Sequence, residues 1–393
     1  MPRCSQETGE PHYSRRAALA RISAAAMVPL LAWPKQASAV TPLENGFDAL
    51  VRSLGFRADL PGMALLVQQP DQPAFMRCVG SAILKDRMPV TPQTMFELAS
   101  VSKTMTSTAT LMLHDRGKLS VDDDIRKWIP ELPEYDKGQP IRIRNLLLHT
   151  SGLESYMALG DVPAKNKDYW LNSDYVGEFA RRKVPLKFPT GRQYEYNNTN
   201  YMLLAVVIER VSKQSFGSLL RKEIFDPHGM KTAFVNEGPG SIPVVPGRVD
   251  AIGYGKVEGK WQELWGTPPA RQETMLTVGD GAIWCSLEDM AAWDMALRSG
   301  KLLKPQTVKR ALSPAKTRDG QTTPYGFGWD LVFGQRGRLI GFAHGGAWAG
   351  FGAFYHHDMP SNRTYVWLCN GLEFDGDQLR EKLIKLVDKH GLK

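Results

Sequence analysis

FELASVSKTMTSTATLMLHDRG, residues 96–117, sets Ser100 three places before Lys103 at the head of a long run of small and apolar residues. From Ser100 to about Arg116 those residues recur at helical spacing, and Gly117 is a plausible stop. The stretch therefore predicts a helix buried in the core, around which the rest of the chain is arranged. If that helix begins at Ser100, Ser100 and Lys103 share its first turn and one face. Burial and the helix dipole both disfavour a charged lysine there, lowering its pKa towards that of a base. A hydroxyl needs such an adjacent base to attack a carbonyl. The other reading is that Ser100 caps the helix and Lys103 is solvated. The chain holds a second Ser-x-x-Lys, SPAK at 313–316, but Pro314 and the polar, turn-rich TRDGQTTPYG around it mark that copy as a decoy.

Outward from the central helix, GMALLVQQPDQPAFMRCVG (62–80) reads as two strands around a turn containing Pro70, Asp71 and Pro73. Further helices are expected over 199–216 and 286–300, the second opened by Ser286 with Asp289 three residues on. Residues 235–275 are rich in Gly, Pro and polar side chains and read as loops with a hairpin, forming part of a substrate rim together with 155–190. RLIGFAHGG, GFGAFYHHD and NRTYVWLCNG return to strands, and a last helix starts near Asp377 with Leu379, Leu383, Leu386 and Val387 on one face. Strands at both ends and helices between them predict one sheet built from the two termini, with a site in the cleft between sheet and helices.

The first 39 residues read differently. Arg15 and Arg16, an apolar run from Ile22 to Trp33 and then Ala37-Ser38-Ala39 form the pattern of an export signal of twin-arginine type, which predicts a periplasmic or secreted protein. The run is too short to span a bilayer. The net charge is +8, and about +5 without that segment, which holds five cations and two acids. No dense Lys/Arg run remains, which argues against nucleic acid as a partner. Cys4 goes with the signal. Of Cys78, Cys285 and Cys369, an odd set, Cys78 and Cys369 lie in strand-like runs and read as buried free thiols.

Two further constellations carry chemistry. Tyr196-Asn197-Asn198 is the single Tyr-x-Asn and stands just before a helix that Thr199 or Asn200 could cap. A phenol near a lysine can relay protons, and an Asn amide can orient a carbonyl. Packing of a tyrosine-rich loop is the alternative. His344-Gly345-Gly346 is the single His-x-Gly, at a strand end where glycine allows close approach. His344 there can donate to substrate or support proton transfer, or it is simply a strand-end histidine. His356 and His357 are adjacent on a strand and point to opposite faces, so they do not form a metal pair. No clustered Cys/His spacing and no His-Glu-x-x-His occurs, so no metal or cofactor is expected.

Taken in order, Ser100-x-x-Lys103, Tyr196-x-Asn198 and His344-x-Gly346 resemble the motifs of the penicillin-recognising serine hydrolases. The likeness is to the branch holding class C β-lactamases, D-alanyl-D-alanine carboxypeptidases, D-aminopeptidases and related esterases. NLLLHTSGL (145–153), GDGAIWCSLEDMAAW (279–293) and HGGAWAGF extend it, so that it covers about residues 45–390. The resemblance implies an α/β (α+β) fold of β-lactamase/transpeptidase type over residues 40–393. An antiparallel sheet from the N- and C-terminal segments would be flanked by helices, with an all-helical lobe inserted at about 120–330. It implies Ser100 as the acylated nucleophile, Lys103 as its base partner, Tyr196 as proton relay and Asn198 as the substrate-orienting amide. His344 and Gly346 would lie on the strand lining the cleft, His149 would shape the cleft, and the N–H groups of Ser100 and Trp348 would form the oxyanion hole. Where the family's β-lactamases carry Lys-Thr-Gly this chain has His344-Gly345-Gly346, and a histidine is a weaker, pH-dependent cation. The expected substrate is therefore a small-molecule or peptidoglycan-like acyl compound: an ester, an amide or D-peptide, or a β-lactam, in that order. The alternative is a penicillin sensor that acylates without turnover, against which stands the lack of a transmembrane segment after the export signal.

Overall fold

The computed structural model describes residues 41–135, 138–159, 169–265 and 276–392. The expected export signal, with Cys4, Arg15 and Arg16, lies outside the described residues, and Thr41–Lys393 form one unit. Thr41 caps α1 (Pro42–Ser53): its side chain accepts from the Glu44 N–H while Glu44 reaches back to the Thr41 N–H, which satisfies two otherwise orphaned donors. The expected strand pair follows as β1 (Met63–Gln68) and β2 (Phe75–Val79), with Asp71 at φ 60° in the turn. Next come a short ladder of β3 (Ser81–Ile83) and β4 (Met88–Pro89), then β5 (Phe96–Glu97).

The central helix, α2 (Ser102–Asp115), begins two residues later than its spacing predicts, after a 3-10 turn at Ala99–Val101. Every residue of it from Ser102 to Leu113 is buried. Its polar side chains tolerate this because their hydroxyls are bonded: Thr104 to the Val101 carbonyl at 2.8 Å, Thr106 to that of Gly279 at 2.7 Å, Ser107 to that of Phe327 at 2.8 Å. Against it packs α5 (Asn198–Ser212), on which α3 (Ile143–Leu147), α4 (Asn172–Arg182) and α6 (Phe216–Leu220) pack in turn. The single helix expected over 199–216 is two, because Lys213 takes a left-handed φ of 57° and Ser215 caps a new start.

The middle segment also holds strands: β6 (Phe234–Val235), the hairpin β7 (Gly253–Val257) and β8 (Lys260–Trp265) expected within 235–275, and β9 (Ile283–Cys285). The lobe is thus helical with a small sheet, ordered β5-β9-β6, attached. α7 (Leu287–Arg298) opens with the reciprocal Ser286–Asp289 capping box that its sequence signals. After α8 (Pro305–Ala311) come β10 (Asp330–Phe333), β11 (Leu339–Trp348), β12 (Phe351–Asp358), β13 (Arg363–Cys369) and α9 (Gly376–His390).

Six of these strands form an antiparallel sheet ordered β10-β11-β12-β13-β1-β2, and β1 pairs with β13 from Met63↔Cys369 to Gln68↔Thr364. The two termini therefore build one sheet, as expected. Strand alternation sorts MALLV between two cores. Met63, Leu65 and Val67 face Phe47 and Leu50 of α1 and Leu379 and Leu383 of α9, whereas Ala64 and Leu66 join the larger core with α2, α5 and α7. Truncating a leucine in so enclosed a place costs roughly 2–5 kcal/mol.

His356 and His357 do lie on opposite faces: His356 stacks near Tyr365, and His357 shares a hydrogen bond with Thr364. Cys78, Cys285 and Cys369 are free thiols, Cys78 only half-buried. No helix among the described residues is long and apolar enough to cross a membrane.

Candidate active site

Ser100 sits in the 3-10 turn ahead of α2 and makes no cap for it; the residue before α2, Val101, supplies no side-chain bond either. The capping reading of Ser100 is thereby removed. Lys103, one turn on, is wholly buried, and its Nζ donates to Ser100 Oγ at 2.9 Å and to the Asp280 carbonyl at 2.7 Å. Burial pulls its pKa down from 10.5 to about 8, while the nearby Asp280 and Glu97 charges hold it from falling further. A lysine so placed is largely cationic at neutral pH and becomes a competent base just above it.

The turn that presents Ser100 is strained. Ala99 has φ 47° and, across the cleft, Ala282 has φ 68°, each costing about 1–3 kcal/mol in a residue with a Cβ. Glu97 holds both: its Oε1 accepts from the Ala282 N–H at 2.8 Å, and its carboxyl also bonds the Ala99 N–H.

Tyr196 and Asn198 come from the segment entering α5. Asn197, rather than Thr199 or Asn200, caps that helix, accepting from the Thr199 N–H at 2.9 Å. Its flanks are tied to the HTSGL segment. His149 Nδ1 accepts from the Asn197 N–H at 3.1 Å and is 3.0 Å from Asn200 Nδ2, and Asn197 Nδ2 donates to the Leu153 carbonyl at 2.6 Å. The His149 ring lies 4.4 Å from that of Tyr196, so His149 shapes the cleft as the resemblance implies. Tyr196 is 40% exposed overall. Its hydroxyl end, however, turns inward to bond Ser100, and Lys103 Nζ stands 5.1 Å from its ring centre. Burial of that end raises its pKa, keeping the phenol protonated. The side-chain carbonyl of Asn198 lines the cleft and has no hydrogen-bond partner in the structure.

β11 closes the other side. A Cβ on Gly346 would stand 2.5 Å from the Leu98 carbonyl oxygen and 2.8 Å from the Ser100 nitrogen. The second glycine of His-Gly-Gly thus lets the strand lie directly on the turn that carries Ser100. Gly346→Ala is expected to lower kcat/KM by roughly 10²-fold through displacement of that strand. Gly345→Ala, whose Cβ meets only Phe354 at 3.8 Å, is expected to change it no more than about twofold. Steady-state hydrolysis of a p-nitrophenyl ester by the two variants checks both.

Trp348 pairs with Phe351 across Ala349 and Gly350, both at positive φ (44° and 87°), which is a type I′ hairpin turn. In such a hairpin the closing pair exchanges hydrogen bonds, so the Trp348 N–H points towards β12. The Ala347 N–H then points to the opposite edge, beyond the end of β10. Trp348 and Ala347 both line the cleft, and of the two it is the Ala347 N–H that the register leaves outside the β12 ladder, not that of Trp348 as expected.

His344 also departs from expectation. It is buried, its Nδ1 donates to the Gly345 carbonyl at 2.7 Å, and its Nε2 is 2.8 Å from the Tyr325 hydroxyl, which then donates to it. Both ring nitrogens are taken. Burial, reinforced by repulsion from Lys103, drives its pKa down to about 3. His344 is therefore a neutral strut and provides neither a cation nor a free donor for substrate.

Sequence reasoning passed over two acids. Glu97, three residues before Ser100, and Asp280, in GDGAIW, are both buried, and burial raises both pKa values, that of Glu97 to about 7. Asp280 Oδ2 accepts from the Tyr156 hydroxyl at 2.7 Å, but its Oδ1 and Glu97 Oε2 have no partner. Both residues line the cleft with Ser100, Asn198 and Ala347 around about 570 Å³ of open space. The available signal was an acid inside an otherwise apolar stretch, which is rarely buried without a task.

The comparisons with known proteins agree with this geometry. The family described as Beta-lactamase matches residues 47–389. Penicillin-binding protein 4* of Bacillus subtilis (strain 168) is 30% identical over 330 residues, covering 82% of this chain and 71% of that protein. D-aminopeptidase of Gluconobacter oxydans (strain 621H) is 30% identical over 333 residues, 82% of this chain, and the chain spans only 58% of that relative's length. Among solved structures, the D-amino acid amidase from Ochrobactrum anthropi SV3 complexed with D-phenylalanine superposes with a TM-score of 0.71 at 21% identity, over 89% of this chain and 99% of that one. This chain belongs to the Beta-lactamase family, the penicillin-recognising serine hydrolases.

Proposed function

We propose that the protein hydrolyses an amide or ester through an acyl-enzyme on Ser100, and that the acyl part is a D-amino acid with a free ammonium group. The 2.9 Å line from Lys103 Nζ to Ser100 Oγ, with the lysine poised near pH 8, carries the reading. Ser100 Oγ bonds to the carbonyl carbon as its proton passes to neutral Lys103. The N–H groups of Ser100 and Ala347 hold the resulting oxyanion, and the Asn198 side chain orients the substrate's amide. The protonated Tyr196 phenol gives its proton to the leaving amine or alcohol and regains one from the Lys103 ammonium. A water then attacks the ester on Ser100 by the same route and releases the acid.

The ammonium is argued from the cleft wall. Asp280 and Glu97 line the cleft with Ser100, and although the Lys103 charge is near both, each keeps one buried carboxyl oxygen without a hydrogen-bond partner, so the wall is acidic and suits a cation. With His344 neutral, no cationic side chain lines the cleft among the described residues to receive a substrate carboxylate. That weighs against β-lactams and supports the amide or D-peptide reading over the simple ester. The relative named D-aminopeptidase supports the same class.

The test compares D-alanine p-nitroanilide with its N-acetylated form. The free amine should be preferred, and Asp280→Asn should shrink that preference at least about tenfold, the cost of one charge-assisted hydrogen bond. Using the ratio cancels any effect of Asp280 on Lys103. Equal turnover of both substrates by the wild type would overturn the ammonium reading and leave the nucleophile untouched.

A further inference from the structure

The SPAK copy at 313–316, set aside as a nucleophile, lines a second, open cleft. Ser313 is exposed, and its hydroxyl donates to the Lys309 carbonyl rather than meeting Lys316. The cleft is separate from that of Ser100, but Thr150 lines it, one residue from His149.

Among the described residues five of its lining side chains are cations, Arg142, Arg144, Arg310, Lys316 and Arg318, and none is acidic. Asp122 pairs with Arg144 and, at 3.6 Å, with Arg310, and Arg142 donates to the Asp122 backbone carbonyl, while Asp319, next to Arg318, pairs with Arg192. Among the described residues Arg142, Lys316 and Arg318 have no carboxylate partner. The last two stand on an anchored loop: the Arg318 N–H donates to the Gly191 carbonyl at 2.9 Å, the Thr317 N–H to that of Gln321 at 2.9 Å, and Lys316 bridges to Thr322. Holding like charges together around a concavity raises their mutual repulsion, and the low-dielectric walls focus the positive field into the opening. Guanidinium forks match the paired oxygens of phosphate and carboxylate groups.

We propose that this cleft binds a small, multiply charged oxyanion bearing phosphate or carboxylate groups. Titration calorimetry on the full chain, with inorganic pyrophosphate and separately with citrate at matched ionic strength, tests it. One saturable site is expected. Tighter binding of pyrophosphate identifies the phosphate source, and tighter binding of citrate the carboxylate source. The double variant Lys316→Gln/Arg318→Gln should weaken binding by about 10²-fold, the loss of one or two charge-assisted contacts. Because both residues are exposed and outside the catalytic cleft, its ester hydrolysis should match the wild type, which also shows that it folds. No saturable binding of either anion up to about 10 mM, which corresponds to an affinity weaker than ~3 kcal/mol, would overturn the proposal. So would binding that the double variant leaves unchanged.

Discussion

Ser100→Ala is expected to lower kcat by about 10⁴-fold or more, the scale on which a nucleophile's removal is felt when its partners act as a unit. The same change should leave thermal stability within about 0.5 kcal/mol, as for a side chain with no structural bond to lose. That split follows from geometry. Ser100 caps no helix, and its side chain bonds only the Tyr196 hydroxyl and Lys103 Nζ, which keeps the Asp280 carbonyl as a second acceptor. A serine serving as a helix cap would show the opposite pair of results, a loss of about 1 kcal/mol with activity kept. Burst and steady-state hydrolysis of a p-nitrophenyl ester, read beside thermal unfolding, separates the two.

The second large effect concerns Lys103. Lys103→Met should reduce kcat/KM by about 10³-fold, within the range for a lost general base. Lys103→Arg should do the same, because a guanidinium keeps its proton at any working pH. In the wild type, kcat/KM should rise through a limb centred near pH 8, since only neutral lysine can take the serine proton and its pKa is pulled down to about 8 by burial. Neither variant should show that limb between pH 6 and 10.

The stability consequence has a definite sign. The folded-state pKa lies below the ordinary 10.5, so between about pH 8 and 10.5 the unfolded chain binds more protons at this site. Stability from this group therefore increases with pH across that window and is least below pH 8, where the buried cation must be accommodated. Lys103→Met removes that cation, so its stability at pH 6 should not fall even as its activity does. Pairing of lost function with retained stability distinguishes a residue kept for chemistry from one kept for folding.

Much of this was legible in the chain itself. The two strand-like runs around the Pro70–Pro73 turn and the three C-terminal strand runs foretold a sheet built from both termini, and Ser286 with Asp289 marked the start of α7 to the residue. The ordered Ser100, Lys103, Tyr196 and Asn198 positions converge as their motifs suggest. What was not legible depends on long-range contacts or on unusual backbone. Alanine gives no sign that it will take φ 47° at position 99, so the 3-10 turn that delays α2 was invisible. Lys213 likewise does not advertise the left-handed turn that splits α5 from α6. The state of His344 is decided by Tyr325, a neighbour only in the folded chain. The direction of the Ala347 and Trp348 N–H groups depends on the turn type at Ala349-Gly350, and one residue of register reverses it. Glu97 and Asp280 declare themselves only once burial leaves their oxygens unpaired.

The central claim, that Ser100 is the residue acylated, is tested most directly by mass spectrometry after reaction with a fluorophosphonate probe. Tryptic cleavage at Arg87 and Lys103 isolates MPVTPQTMFELASVSK, residues 88–103. One equivalent of probe should appear on this peptide, at Ser100, in the wild type and be absent from Ser100→Ala. An adduct elsewhere, or one that persists in Ser100→Ala, would contradict the account.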